Sequence, residues 1–382
     1  MSAPPTVPTA PEDSAGRLQS IDLLRGLVMI LMVLDHTRGL FSKEPFSPVD
    51  LARTFPALFA TRWITYLCAP AFVFLAGASA YLHGARGLTR GQLSRFLLTR
   101  GLWLLFLEMT YLNWLVWSDF LSGRFLAVIF WAIGWSMICL AGLVWLPRWV
   151  IAAVGLVLCA GHNLLDNVAP ESWGPWGWLW QFLHAGGRIE ISSNIHLDIM
   201  YRLVPWNGLM AIGYACGPAF QWEPARRRRW AWRAGLVLLA LFLAVRFVNQ
   251  YGDPTPWAPG KNAVFTVMSF VNCNKYPPSL DFLLMMMGPI LLLLAALERE
   301  APAWMGPVRT FGRVPMFFFL LHLPLIRLGA AVTKSFRPPP RTGFGLLGVY
   351  MAWIVFVLLL YYPCRSFAAL KRRNKSPWLS YF

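Results

Sequence analysis

The stretch Arg17-Leu-Gln-Ser-Ile-Asp22-Leu-Leu-Arg25-Gly-Leu-Val-Met29-Ile-Leu-Met-Val33-Leu-Asp35-His36-Thr-Arg38 decides the fold. From Gly26 to Leu34 it carries no charge, and with its flanks it is long enough to cross a bilayer core, which takes about 20 residues. Both ends break the membrane pattern: Asp22 and Arg25 enter, and Asp35, His36 and Arg38 leave. Ionisable groups in a spanning helix are costly and face a protein interior or a watery cavity. At 100° per residue, Asp22, Arg25, Met29, Val33 and His36 fall within an arc of roughly 80°, one helix face. Asp35 and Arg38 share another. The two faces cannot line one narrow cavity unless the helix bends near residue 34.

Outward from this helix the chain repeats the pattern. It is 57% hydrophobic and 13% charged, against about a quarter charged in soluble domains. Apolar runs near 20–40, 63–83, 98–117, 124–145, 149–166, 200–219, 231–249, 279–297, 313–333 and 343–363 predict ten transmembrane helices. The fold class is therefore an all-α polytopic membrane protein. Its runs are too long and unalternating for barrel strands. The net charge of +17 resides in short loops such as Arg86–Arg100 and Arg226–Arg229. That is the positive-inside pattern, placing both termini in the cytoplasm. A basic stripe on a soluble domain is absent, so nucleic acid is not an expected partner. Residues 1–16, rich in Pro, Ala and Ser, read as a disordered tail, 17–370 as one helical domain, and 371–382 as a basic cytoplasmic tail. The Trp-rich segment 167–198 suits the outer membrane interface.

Six scattered cysteines give neither a disulfide framework nor a Cys/His metal spacing. His184, His196 and Asp198 raise a metal reading that no HExxH-type spacing supports, so no metal is expected. His36, at the outer end of the first helix, is either a general base or an interface histidine. Adjacent helical residues do not face one another, so Asp35 is expected to pair with Arg38 instead of orienting His36. His162 and Asp166, four apart, form either a His–carboxylate pair or an ordinary polar helix end. His322, about 14 Å into its helix at 1.5 Å per residue, is either a structural hydrogen-bonding residue or a catalytic one. Glu108 at mid-depth is expected to pair with an interior Arg or His. Arg309 and Arg313 are topology determinants that would also suit the phosphates of a charged cofactor. Ser279 is placed to cap the helix that follows it.

Four segments carry a resemblance: Ser20-Ile-Asp-Leu-Leu-Arg-Gly26 with Asp35-His36-Thr37-Arg38, Val204-Pro-Trp-Asn-Gly-Leu-Met210, Lys275-Tyr-Pro-Pro-Ser-Leu280, and Phe311-Gly-Arg-Val-Pro-Met-Phe-Phe-Phe-Leu-Leu-His322. In this order they resemble the heparan-α-glucosaminide N-acetyltransferase catalytic-domain family, in its bacterial branch, from about residue 17 to 370. The resemblance implies a transmembrane acyltransferase with cytosolic acetyl-CoA as co-substrate. Its acceptor would be a sugar or glycan amine or hydroxyl at the outer face of a bacterial inner membrane, among membrane lipid; a homodimer stays open. Asp35 matches the Asn that assists the family's histidine, but residues 37–62 contain no histidine. The catalytic histidine therefore does not carry over by position, and His36, His162 and His322 are the candidates, with Asp35 or Asp166 as orienter and Asp22, Arg25, Arg38 and Glu108 as support. The alternative class is a transporter of a lipid-linked or small polar metabolite, which inverted repeats would favour; no repeat is visible.

Overall fold

The computed structural model describes residues 18–116, 123–299, 302–336, 343–374, 376 and 379; the expected tail 1–16 lies outside the described residues. The first helix, α1 (Gln19–Phe41), runs uninterrupted. It is followed by α2 (Pro56–Thr65), α3 (Cys68–Gly84), α4 (Arg90–Leu107), strand β1 (Arg124–Ala127), α5 (Ile129–Leu143) and α6 (Arg148–Gly161). Next come α7 (Gly177–Trp180), the hairpin β2 (Gly187–Ser192) and β3 (Ile195–Ile199), α8 (Leu203–Ala215), α9 (Pro224–Val248) and α10 (Ala263–Phe270). The chain closes with α11 (Leu280–Leu297), α12 (Gly306–Arg313), α13 (Pro315–Phe336) and α14 (Leu346–Arg373).

Each of the ten apolar runs holds a helix, and six helical stretches among the described residues are long and apolar enough to cross a membrane. Side chains such as Leu236, Leu243 and Phe247 on α9, and Met351, Ile354 and Leu358 on α14, are exposed. A soluble domain would not leave such bands open to water; lipid makes them inexpensive. The last helix, α14, continues to Arg373.

α1 is the centre of the bundle, with α2, α3, α11, α12, α13 and α14 packed on it. Glycines set how closely these helices cross. A Cβ on Gly26 would lie 1.9 Å from the Val308 carbonyl oxygen, and one on Gly312 would lie 1.8 Å from that of Asp22, so α1 and α12 meet backbone to backbone. Gly77, in the small-residue cluster of α3, meets the Met210 carbonyl of α8 in the same way. Where the helices begin, the sequence supplies caps: Thr89 and Gln92 form a reciprocal capping box on α4, and Ser279 accepts from Phe282 N–H on α11, as its sequence position suggests.

Two features depart from the all-α expectation. Residues 124–127, read as the start of the fourth helix, form a strand parallel to β3, and β3 pairs antiparallel with β2 in a three-stranded sheet. A short apolar run looks the same to either periodicity, and here tertiary pairing decides. Asp198 on β3 ties the sheet together by accepting from Arg124 at 2.7 Å and Arg188 at 3.0 Å. Burial would raise its carboxyl, but these two hydrogen bonds outweigh it and hold it below the ordinary range. The second departure is a π-helical stretch, Glu108–Val116, continuing from α4.

Candidate active site

α1 delivers its two faces to two cavities. At its N-terminal end, Asp22, Arg25 and Met29 line a cavity of about 1190 Å³, above the range of roughly 300–1,000 Å³ usual for drug-sized ligands. The mouth is basic: Arg25, Arg86, Arg100, Arg227, Arg313 and Lys371 face it, with Asp22 opposing. Arg25 donates to Ser79 Oγ at 2.5 Å and stands 3.8 Å from Asp22, and Arg313 stands 4.0 Å from the other Asp22 oxygen. Arg227 is engaged by Glu298 at 2.5 Å. The close α1–α12 crossing is what brings Arg313 to Asp22. Arg309, grouped with Arg313 in the sequence, is not on the cavity wall.

The deep wall is aromatic. Phe130 of α5 and Phe319 of α13 line it, their ring centres 4.2 Å apart. Beyond Phe319 sits His322, wholly buried, its ring 5.2 Å from Phe319 and 5.2 Å from His36. His322 Nδ1 lies 2.6 Å from the Phe319 carbonyl oxygen and 3.3 Å from that of Phe318. Carbonyls only accept, so Nδ1 carries the proton and Nε2 presents a lone pair. That Nε2 is buried with no hydrogen-bond partner among the described residues. His36 lies two turns beyond Met29, so the polar face of α1 leads from the cavity wall to the histidine pair. Tyr111, in the π-helical stretch, holds α13 nearby by donating to Leu320 O at 2.7 Å.

The other face of α1 serves a different place. Asp35 accepts from Arg62 at 2.5 Å on both oxygens, from Arg38 at 3.1 Å and from the Thr65 hydroxyl at 3.1 Å. No bend interrupts α1, so Asp35 and His36 address separate sites. Arg38 and Arg62, with Tyr66, Lys275 and Tyr276, line a second cavity of about 300 Å³ at the C-terminal end of α1.

One pairing left open by the sequence does not form, and one expected pairing is corrected. Asp166 pairs with His184, not His162: His184 Nε2 is 3.2 Å from Asp166, and His162 meets the His184 ring edge-on at 5.7 Å. The helix tightens to a 3-10 turn over His162–Leu165, whose three-residue repeat stacks Asp166 over Asn163, which donates to it at 2.7 Å. Asn163 in turn accepts from Leu280 N–H, so this cluster supports the Pro-Pro-Ser turn into α11. Among the described residues Glu108 pairs with no Arg or His: its carboxylate accepts the backbone N–H groups of Phe130 at 2.9 Å and Trp131 at 3.1 Å. It caps α5 from a neighbouring helix. His184, His196 and Asp198 do not converge, and the described residues contain no group of three His, Cys, Asp or Glu able to hold a metal.

The sequence reading missed Arg62, Lys275 and Phe319 as site residues. Arg62 precedes the expected second span and looked like loop charge, whereas α2 places it against α1. Lys275 opened a quoted motif without a role, and Phe319 is one of three consecutive phenylalanines that periodicity alone cannot rank.

A family model described as heparan-alpha-glucosaminide N-acetyltransferase, catalytic, matches residues 17–247. No curated protein matches the chain. The match covers α1 through most of α9, including His36, Asp35 and Arg62, and ends before Lys275 and His322.

Proposed function

The chain belongs to the heparan-alpha-glucosaminide N-acetyltransferase catalytic family, and from that premise we propose that it carries an acyl group from acyl-CoA, acetyl-CoA first among them, to an amine or hydroxyl of a sugar across the membrane. One observation carries the reading: Phe319, on the wall of the basic cavity, is in ring contact with buried His322, which is in ring contact with His36. The donor set suits the co-substrate. Arg86, Arg100 and Arg313 would hold phosphates, which charged guanidinium donors bind well, and Phe130 and Phe319 would bound the apolar end.

Acyl-CoA supplies a thioester carbonyl open to a nucleophile. The protein's own contribution is proton handling and exclusion of water. His322, its Nδ1–H fixed on the Phe319 carbonyl, takes the acceptor's proton at Nε2 and releases it to the departing thiol. His36, in ring contact, is a titratable group placed to share that proton. Asp35 and Asp166 hold the acceptor side in shape. In this reading the basic end of the ten-span bundle and both termini face the cytoplasm, the second cavity faces outward, and the membrane is a bacterial inner membrane.

Purified protein in detergent, given labelled acetyl-CoA and an amino sugar, is expected to move label onto the sugar. Arg313→Ala should raise KM for acetyl-CoA more than it lowers kcat. Absence of both acyl-CoA binding and turnover in folded protein would remove this reading.

A further inference from the structure

The second cavity carries charge that the acyl-CoA reading does not use. Arg38, Arg62 and Lys275 face it, and the carboxylate beside them is Asp35, already shared between Arg62 and Arg38. Lys275 is only 6% exposed. Its ammonium stands 5.0 Å over the Tyr66 ring, 5.3 Å over Tyr276 and 6.0 Å over Tyr201. Among the described residues it donates to no acceptor and forms no ion pair. Nε of Arg38 is buried without an acceptor. The nearby acids do not serve Lys275: Asp253 and Asp281 lie 3.8 and 3.6 Å from Arg246 of α9. Asp253 also takes Asn274 N–H at 2.7 Å and the Ser279 hydroxyl at 2.6 Å, which fixes the backbone beside Lys275.

Enclosing an ammonium largely in protein, with no acceptor at the cavity wall, is costly, and tyrosine faces offset only part of that cost. An anion arriving in the cavity would offset the rest. We propose that this cavity binds an oxyanion of the acceptor, carboxylate or phosphate, with Lys275 and Arg38 as its ligands and the Asp35–Arg62 pair as a fixed floor. Assigning the anion to the acceptor rests on the transferase reading; the site itself does not. The volume, at the small end of ligand pockets, suits one acidic sugar or one phosphoryl group. The protein would then select anionic over neutral acceptors, with two cations setting the preference.

The test is direct binding to the detergent-solubilised protein, without acyl-CoA, of inorganic phosphate, glucuronate and glucose. One anion or both should bind, and glucose should not. The better anion separates a phosphorylated acceptor from a uronic acid. Lys275→Met should weaken anion binding at least about tenfold, the scale of one charge-assisted hydrogen bond, and Lys275→Arg should retain most of it. If Lys275→Met does not fold, Arg38→Gln at a wild-type melting temperature carries the same expectation. Equal binding of glucose and glucuronate, no anion binding, or an unweakened folded variant would overturn the site. Anion binding in a folded protein that neither binds nor turns over acyl-CoA would leave the site and remove the transferase reading. Transfer without anion preference would do the reverse.

Discussion

The imidazole of His322 stands 5.2 Å from that of His36, joining α13 to the polar face of α1 just beyond the aromatic wall of the basic cavity. Two residues that act on one proton should not act independently. His322→Gln is expected to lower kcat/KM by roughly 10²–10⁴-fold, the usual scale for a general base. Adding His36→Gln should cost little more than the worse single change, because coupled groups are non-additive. A double-mutant cycle on acyl transfer checks this; strict additivity would separate the two histidines.

Phe319 lines the cavity and is in edge-on ring contact with His322, which is not on the cavity wall. Phe319→Ala would open a route for water to the proton-accepting Nε2. The expected outcome is acyl-CoA hydrolysis without acceptor, rising relative to transfer. An unchanged ratio of hydrolysis to transfer would show that Phe319 is not the barrier.

Glu108 satisfies two backbone N–H groups at the start of α5. Glu108→Ala leaves them buried without an acceptor, at a cost of about 1–3 kcal/mol, so the melting midpoint in detergent should fall. Glu108→Gln keeps an acceptor oxygen and should fall less. Equal midpoints for both variants would argue against the cap.

Gly26 and Gly39 lie on the same helix and should respond oppositely. A Cβ on Gly26 meets the Val308 carbonyl, whereas one on Gly39 meets nothing within 4 Å. Gly26→Ala should destabilise by about 1–3 kcal/mol or more by overpacking. Gly39→Ala should be neutral or stabilising by up to about 1 kcal/mol, from helix propensity. Yield and melting temperature of the two variants decide; similar losses would mean that α1 and α12 do not cross at Gly26.

The sheet should respond to acid. The Asp198 carboxyl is held below its ordinary range, so its contribution is fully present at neutral pH and is lost as pH falls through its folded-state value. Because Arg124 and Arg188 are well exposed, that contribution is small. Amide exchange in β3 should quicken beyond the intrinsic change only as pH falls below the ordinary carboxylate range, not between pH 7 and pH 5, and Asp198→Asn should abolish the excess. A pH-independent protection factor in the unaltered chain would rule out this role.

What the sequence determined by itself is local. Apolar length identified the runs that became helices, and the 3.6-residue period separated the Asp22–Arg25–Met29–His36 face of α1 from Asp35 and Arg38, because side-chain direction on a regular helix depends only on near neighbours. The cap at Ser279 was legible for the same reason. What each face meets was decided by tertiary structure. His36 finds His322, Asp35 finds Arg62, and Glu108 finds the start of α5 only because distant helices cross closely, at contacts such as Gly26 with Val308. The exchange of His162 for His184 at Asp166 turned on one helical turn tightening, and the strand at Arg124–Ala127 on a partner far along the chain. Periodicity specifies a direction; packing supplies the atom at the end of it.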